Sequence, residues 1–387
     1  MIHTIPSFSY HIPTAIEFGW GSLTRLAGLV KGLNGTRALV VGDPGVLKAG
    51  LVERVAGELA AAGIPVVTFT DVESDPDARS VDSGVQLAKS KECDIVVGVG
   101  GGSALDVAKV IGLMLTNPGN IRDYAGVDKV ERPGVPVIAI PTTSGTGSEM
   151  TIWSVLSDKE KKTKFGVGSV LNCARVALLD PELTLSLPPT ITAATGMDAL
   201  THALESYVNK ATQPISEAMS EQSMTLIARS LRVAVAQPDN AHARADMLLA
   251  STLAAMAFNS TRLGLVHAFA MPLGSRFHIP HGLVNAIMLP VVMRYNLPGN
   301  LGKFARIAEI FGEPVAGLSL RDAAERSVAA VESLKADVGI TAKLGQFGMT
   351  EADLDGVADE ALLSGNVPVN PRQPTREDMK SLLRAEL

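Results

Sequence analysis

Near Leu187-Pro188-Pro189-Thr190 the hydrophobic rhythm of this chain changes, and the change separates two kinds of architecture. Before it, short apolar runs (Arg37 to Gly42, Ile64 to Thr70, Asp94 to Val99, Val135 to Ile140 and Arg175 to Leu179) alternate with helical patterns. Strand-length runs that are apolar throughout, each followed by a helix, belong to a parallel sheet covered on both faces. After it come long stretches rich in Ala, Leu and Met, such as Ser216 to Ala236 and Asp246 to Phe258, with few strand signals. Such residues predict an all-α region, with Thr190 suited to cap its first helix. At 387 residues the chain has room for two domains, and 46% hydrophobic against 19% charged residues argues against disorder.

The sharpest strand-to-helix break in the first half is Cys93-Asp94-Ile95-Val96-Val97-Gly98-Val99-Gly100-Gly101-Gly102-Ser103-Ala104-Leu105-Asp106-Val107-Ala108-Lys109. A turn of this kind offers backbone N–H groups and a helix N-terminus to a phosphate, and its glycines let a pyrophosphate approach the chain. Ser103 stands where the dinucleotide fingerprint has its last glycine, so a tight structural turn also accounts for the segment. The strand ending at Ile140 runs into Pro141-Thr142-Thr143-Ser144-Gly145-Thr146-Gly147-Ser148-Glu149. Its hydroxyls suit phosphates and a carboxamide, although a Ser/Thr-rich loop by itself is only a loop. Asp43, just past Arg37 to Gly42, is placed to accept from ribose hydroxyls and to repel the extra phosphate of NADP, which favours NAD; an ordinary Asp-Pro-Gly turn explains it equally well. The expected fold is α/β, with a Rossmann-like parallel-sheet domain over residues 1–186 for the dinucleotide and an all-α domain over 187–387.

Four residues of the second half have the chemistry of one closed metal site. Asp198 and His202 lie four apart in the helical pattern Gly196-Met197-Asp198-Ala199-Leu200-Thr201-His202-Ala203-Leu204-Glu205, so they share a face. His267 and His281 lie in Gly264 to Gly274 and in Ile279-Pro280-His281-Gly282, separated by a helix, a turn and a new helix start. Taken singly, each histidine reads as a satisfied, partly buried side chain. Together they occupy apolar, Gly-flanked segments where an imidazole or a charge has no cheap reason to be buried. Three imidazoles and one carboxylate suit iron(II) or zinc and are too nitrogen-rich for calcium or magnesium. His3, His11 and His242 lie in polar or terminal surroundings and read as surface residues.

These segments, with Asp180-Pro181-Glu182-Leu183, Ala194-Thr195-Gly196-Met197, Pro280-His281-Gly282 and Asn370-Pro371-Arg372, occur in the order and at the separations of one family. Over nearly its full length the chain resembles the iron-containing, or type III, alcohol dehydrogenases. The resemblance implies an NAD-dependent oxidoreductase that interconverts a small alcohol and its aldehyde or ketone by hydride transfer, in a cleft between the two domains. Asp198, His202, His267 and His281 would hold a divalent ion, usually iron(II) and otherwise zinc, beside the nicotinamide. By position, Asp43 would bind the adenosine ribose; Gly101, Gly102 and Ser103, next to Gly100 and Asp106, the pyrophosphate; and Thr142, Thr143, Thr151, Lys164 and Leu183 other parts of the cofactor. Phe258 matches a position lining the substrate pocket. Lys164 lies in Lys159-Glu160-Lys161-Lys162-Thr163-Lys164, where a solvated charge run is the default.

Two departures bear on the substrate. Met271 stands where many relatives have a second histidine, and a methionine carries no proton, so relay falls to water or to His278, itself as readily a plain loop residue. Arg262, where relatives commonly have a small residue, could clamp an anionic substrate such as a hydroxy acid, or could be a surface or interface arginine. A glycerol dehydrogenase-like zinc enzyme and a dehydroquinate synthase-like lyase share the architecture, and the ligand quartet in its Gly-Met-Asp context argues against both. A non-catalytic protein that binds NAD and metal is a third alternative.

A net charge of -6 leaves no basic footprint for nucleic acid. No apolar stretch reaches the ~20 residues that cross a bilayer. Only Cys93 and Cys173 occur, outside any paired motif, and Met1 to Ser7 lacks the charged and apolar regions of a signal peptide. The expectation is a cytoplasmic enzyme with a small alcohol or carbonyl substrate and no nucleic-acid or membrane partner. The resemblance adds a homo-oligomer, dimer or larger.

Overall fold

A computed structural model of the chain describes residues 7–160 and 163–387. His3, Lys161 and Lys162 lie outside the described residues. The described chain forms two compact units, one spanning 12–187 and the other 188–387 together with the described residues up to His11. The sequence boundary near residue 186 did not foresee that N-terminal piece joining the helical unit. Tyr10 shows why it does: its hydroxyl lies 3.1 Å from Met219 Sδ and donates to the Met256 carbonyl at 3.2 Å.

The first unit contains nine strands among its described residues: β1 (Ala15–Phe18), β2 (Ala38–Val41), β3 (Val66–Phe69), β4 (Ile95–Gly100), β5 (Gly126–Val127), β6 (Val137–Pro141), β7 (Trp153–Asp158), β8 (Thr163–Gly168) and β9 (Val176–Leu179). Six make a sheet in the order β1-β9-β6-β4-β2-β3, and every pairing in it is parallel. The five apolar runs in the sequence are β2, β3, β4, β6 and β9. Alternation explains why most of them read as continuous: Leu39, Val41 and Val96 point into one core, and Ala38, Val40, Ile95 and Val97 into the core on the opposite face. The chain order reverses between β2 and β4, which pair with Val41 opposite Gly98. In open α/β sheets that reversal opens a crevice beyond the carboxyl ends of the strands.

Two features of this unit depart from the expected all-parallel picture. β7 and β8 form an antiparallel pair, with β5 on the other side of β8, in a separate three-stranded sheet. Lys164 therefore lies within a strand and pairs with Asp75 at 3.0 Å, rather than extending a solvated charge run.

Every regular element among the described residues of the second unit is a helix. Its leading helices are Pro189–Val208, Pro214–Ala236, Ala241–Thr261, Leu265–Phe277 and His281–Asn296. They share one core that includes Met197, Leu200, Leu204, Ile227, Leu231, Phe269 and Ile287. Thr190 does not cap the first helix: Pro188 holds the cap position and the helix starts at Pro189, whose missing N–H costs nothing in the first turn.

Candidate metal centre

Helix Pro189–Val208 carries Asp198 and His202 one turn apart, helix Leu265–Phe277 carries His267 in its first turn, and His281 opens the following helix. Helix His281–Asn296 can approach the first helix because Gly282 has no side chain. A Cβ there would stand 2.5 Å from the Ala194 carbonyl oxygen, closer than any real contact allows. All four ligand atoms lie within 4.8 Å of one another, and no other such cluster occurs among the described residues. The Nε2 atoms of His202, His267 and His281 lie 3.8, 3.8 and 3.7 Å from Asp198 Oδ1. Ligands bound at about 2.0–2.2 Å to one ion can be at most about 4.4 Å apart, so these separations are compatible with a shared cation.

Asp198, His202 and His267 are buried, whereas the His281 side chain is 47% exposed, which leaves one open flank. The rings are stacked in series. Phe258 lies on His202 with centroids 4.5 Å apart, His202 on His267 at 4.6 Å, and His267 is tilted against His281 at 5.3 Å.

Two residues that the sequence reading did not assign complete the site. Asn285, one turn after His281, donates from Nδ2 to Asp198 Oδ1 at 2.6 Å, and the same nitrogen lies 3.1 Å from His267 Nε2 and 3.2 Å from His281 Nε2. Three ligand atoms thus converge on one electropositive group, the arrangement that a cation requires. Glu205 Oε2 lies 2.7 Å from His267 Nδ1. The i+4 spacing from His281 and the i+3 spacing from His202 were the available signals for them.

Burial pushes the Asp198 carboxyl up, but the charges of His202, His281 and His267 and the Asn285 hydrogen bond outweigh it and hold the group below the ordinary carboxylate range. Among the described residues, the only ion-pair partners of Asp198 and Glu205 are histidines. Two buried carboxylates without a lysine or arginine call for a positive charge, and the donor set fits iron(II).

The other positions singled out in the sequence fall as follows. Arg262 ends helix Ala241–Thr261 at φ 64°, and its exposed guanidinium donates to the Gly365 carbonyl at 3.1 Å. Met271 lies one turn beyond His267 and is 36% exposed. His278 ends that helix in a left-handed conformation, and its ring is not part of the cluster. His11 and His242 are exposed.

In the sheet unit, the loops after β2, β4 and β6 meet. Asp43 Oδ1 accepts from Gly45 N and Val46 N at 2.8 and 3.0 Å, and Oδ2 stands 3.1 Å from where a Cβ on Gly100 would be. Thr142 N donates to the Gly100 carbonyl at 3.0 Å, and Thr143 flanks Gly101. Helix Gly102–Met114 begins at this junction, with the Ser103 hydroxyl donating to Ser74 O at 2.6 Å. Asp106 is engaged inside the protein, accepting from Ser148 Oγ at 2.5 Å and Val155 N at 2.9 Å, with Lys109 3.2 Å away. Thr151 Oγ1 donates to Trp153 O at 3.2 Å, and the Leu183 side chain is buried in the core.

Comparison with known proteins settles the family. The family described as "Iron-containing alcohol dehydrogenase" matches residues 13–181, and "Fe-containing alcohol dehydrogenase family, C-terminal" matches 192–387. The chain belongs to the iron-containing alcohol dehydrogenase family. Among its relatives, a 1,3-propanediol dehydrogenase of Klebsiella pneumoniae is 43% identical over 379 residues, covering 97% of this chain and 98% of the relative. An NAD-dependent methanol dehydrogenase of Bacillus methanolicus is 39% identical, covering 98% of this chain and all of the relative. A crystal structure of 1,3-propanediol oxidoreductase superposes with a TM-score of 0.97 at 42% identity, covering 99% of this chain and all of that one. As an iron-containing alcohol dehydrogenase, the chain is a metal-dependent NAD(H) oxidoreductase acting on a small-molecule alcohol, and the non-catalytic and anionic-substrate alternatives are not favoured. No helix among the described residues is long and apolar enough to cross a membrane.

Proposed function

We propose that the chain interconverts a small uncharged alcohol and its aldehyde, with Asp198, His202, His267 and His281 as the iron ligands. The observation that carries this reading is the convergence of four ligand atoms within 4.8 Å in a buried, ring-stacked site. Iron(II) held there supplies Lewis acidity toward the alcohol or carbonyl oxygen, while NAD(H) accepts or returns hydride. The protein's own part is geometric and electrostatic. The three buried ligands exclude water from the inner side, and the exposed edge at His281 is the flank through which substrate enters. Phe258 packs against His202 and presents an apolar wall to the substrate. Met271 adds a second apolar surface and no proton carrier, so proton exchange falls to water.

For the cofactor, we assign Asp43 to the ribose, the Gly100-Gly101-Gly102-Ser103 turn to the pyrophosphate, and Thr142, Thr143, Thr151, Lys164 and Leu183 to the remaining contacts. Support comes from the junction of the loops after β2, β4 and β6 at the point where the strand order reverses. Asp106 acts there as an internal strut. Leu183 can contribute through its backbone, since its side chain is in the core. The free, buried Cys93 and Cys173 agree with a cytoplasmic location. The exposed Ile16, Phe18 and Trp20 on and beside edge strand β1 agree with a homo-oligomer, for which light scattering is the test.

The deciding assay follows NADH formation with neutral diols, primary alkanols and hydroxy acids, on protein whose iron content has been measured. The reading expects turnover of neutral alcohols that rises with iron occupancy. Turnover independent of iron would refute it.

A further inference from the structure

We propose that Glu205 is a positioning residue of the metal centre: one buried carboxylate closes the N-terminus of the helix that carries His267 and also fixes the tautomer and direction of the His267 ring. The inference rests on the reading of the quartet as a metal site. Glu205 is 3% exposed and lies on helix Pro189–Val208, three residues beyond His202. Its Oε1 accepts from Val266 N at 2.7 Å, and its Oε2 accepts from Gly264 N at 3.0 Å as well as facing His267 Nδ1 at 2.7 Å.

Helix Leu265–Phe277 has a glycine at its cap position and therefore no side-chain cap of its own. Its opening N–H groups are satisfied from elsewhere in the chain. Gly264 and Val266 donate to Glu205, while Leu265 donates to Asn370 Oδ1 at 3.3 Å. Asn370 is held in turn by a reciprocal pair with Asn296, at 2.7 and 3.1 Å, and by the Arg372 carbonyl. Space at this junction is tight. A Cβ on Gly264 would stand 2.8 Å from Glu205 Oε1 and 3.0 Å from Asn370 Oδ1.

The chemistry at His267 follows from that carboxylate. A carboxylate accepts and does not donate, so the shared hydrogen belongs to Nδ1. With metal bound, Nε2 would offer its lone pair, and it is Nε2 that faces the cluster, 3.8 Å from Asp198 Oδ1. A backbone cap alone would need only the two N–H bonds. The third bond gives Glu205 its role at the ligand.

The test compares wild type, Glu205→Gln, Glu205→Ala and Asp198→Ala by competition of iron(II) and cobalt(II) against a chromophoric chelator, with thermal midpoints of the metal-free proteins. A glutamine amide has a single acceptor oxygen: with its NH2 turned toward His267 Nδ1 it keeps the Val266 bond, loses the Gly264 bond and favours the wrong tautomer. Glu205→Gln is expected to bind metal about 10- to 100-fold more weakly while its metal-free midpoint falls less than that of Glu205→Ala. Glu205→Ala is expected to lose both affinity and midpoint. Wild-type affinity in Glu205→Gln would overturn the proposal, as would a loss of affinity matched by an equal collapse of the metal-free fold in both variants. Asp198→Ala separates the two levels. If wild type binds one equivalent of metal and Asp198→Ala does not, the metal site stands whatever Glu205 does; if wild type binds none, the site assignment itself fails, and the Glu205 proposal falls with it.

Discussion

The Phe258 ring lies nearly flat on the His202 imidazole, with centroids 4.5 Å apart and planes inclined by 29°. On the proposed reading the contact joins an apolar pocket wall to a metal ligand, which would couple packing and coordination at this point. An aromatic pair of this kind contributes about 0.5–1.5 kcal/mol beyond area burial. Phe258→Ala is expected to weaken iron binding by about 2- to 10-fold, the equivalent in affinity of that range, and to raise KM for alkanols more than it lowers kcat. Chelator competition and steady-state kinetics measure the two effects. A variant unchanged in both would show that the stack is incidental.

The pair of partly buried Asp106 and buried Lys109 gives a second test. Lys109 is fully buried and donates to Ser148 O at 2.9 Å and Trp153 O at 2.5 Å, with Asp106 3.2 Å away. Removing one partner leaves an uncompensated internal charge, at a cost of about 3–5 kcal/mol. Asp106→Ala is expected to lose about 3 kcal/mol in urea unfolding, and the double variant Asp106→Ala/Lys109→Met to recover at least half of it. Unaltered stability with weakened NAD binding would instead make Asp106 a direct cofactor contact.

Arg262 carries the third prediction. Its guanidinium is bound to the Gly365 carbonyl. Arg262→Ala is therefore expected to leave the ratio of hydroxy-acid to neutral-alcohol turnover within about 2-fold, since no charge-assisted substrate contact worth about 1.5–3 kcal/mol is removed. A tenfold loss confined to acids would restore the anion clamp.

Asp94 supplies a pH dependence. It accepts from Thr36 Oγ1 at 2.5 Å and from the backbone N–H groups of Thr36 and Arg37 at 2.9 Å, joining the start of β4 to the segment before β2. Burial pushes its carboxyl up, and the Thr36 and Arg37 hydrogen bonds outweigh this and hold it below the ordinary range. A depressed folded value means that the stabilisation is complete above the unfolded pKa, about 3.9, and is lost as pH falls through the folded value. Asp94→Asn is expected to cost about 1 kcal/mol at neutral pH, a modest figure because the group is only partly buried, and to flatten the acid limb of stability below about pH 4. Parallel acid limbs in variant and wild type would contradict the assignment.

What the sequence revealed follows burial. β2, β4, β6 and β9 are covered on both faces and read as plain apolar runs. β1 reads Ala-Ile-Glu-Phe and is largely exposed, so its sequence carried no strand signal. The β7 and β8 pair was hidden by polar residues such as Ser154, Ser157, Asp158 and Lys164, whose partners are remote in sequence. The four proposed ligands were legible because imidazoles and a carboxylate are conspicuous in apolar helices. Glu205 and Asn285 were not: the partners of Glu205 lie 59–62 positions away and the Asp198 carboxylate that Asn285 meets lies 87 away, and only the folded chain brings them together. Arg262 stayed open between a substrate clamp and a surface arginine for the same reason: the carbonyl that its guanidinium meets is 103 residues distant.

The most direct measurement of the account is iron content, NAD affinity and NADH production in His267→Ala beside wild type. The account predicts that the variant loses bound iron and nearly all turnover while binding NAD as wild type does. Normal turnover in His267→Ala after verified removal of metal would contradict it.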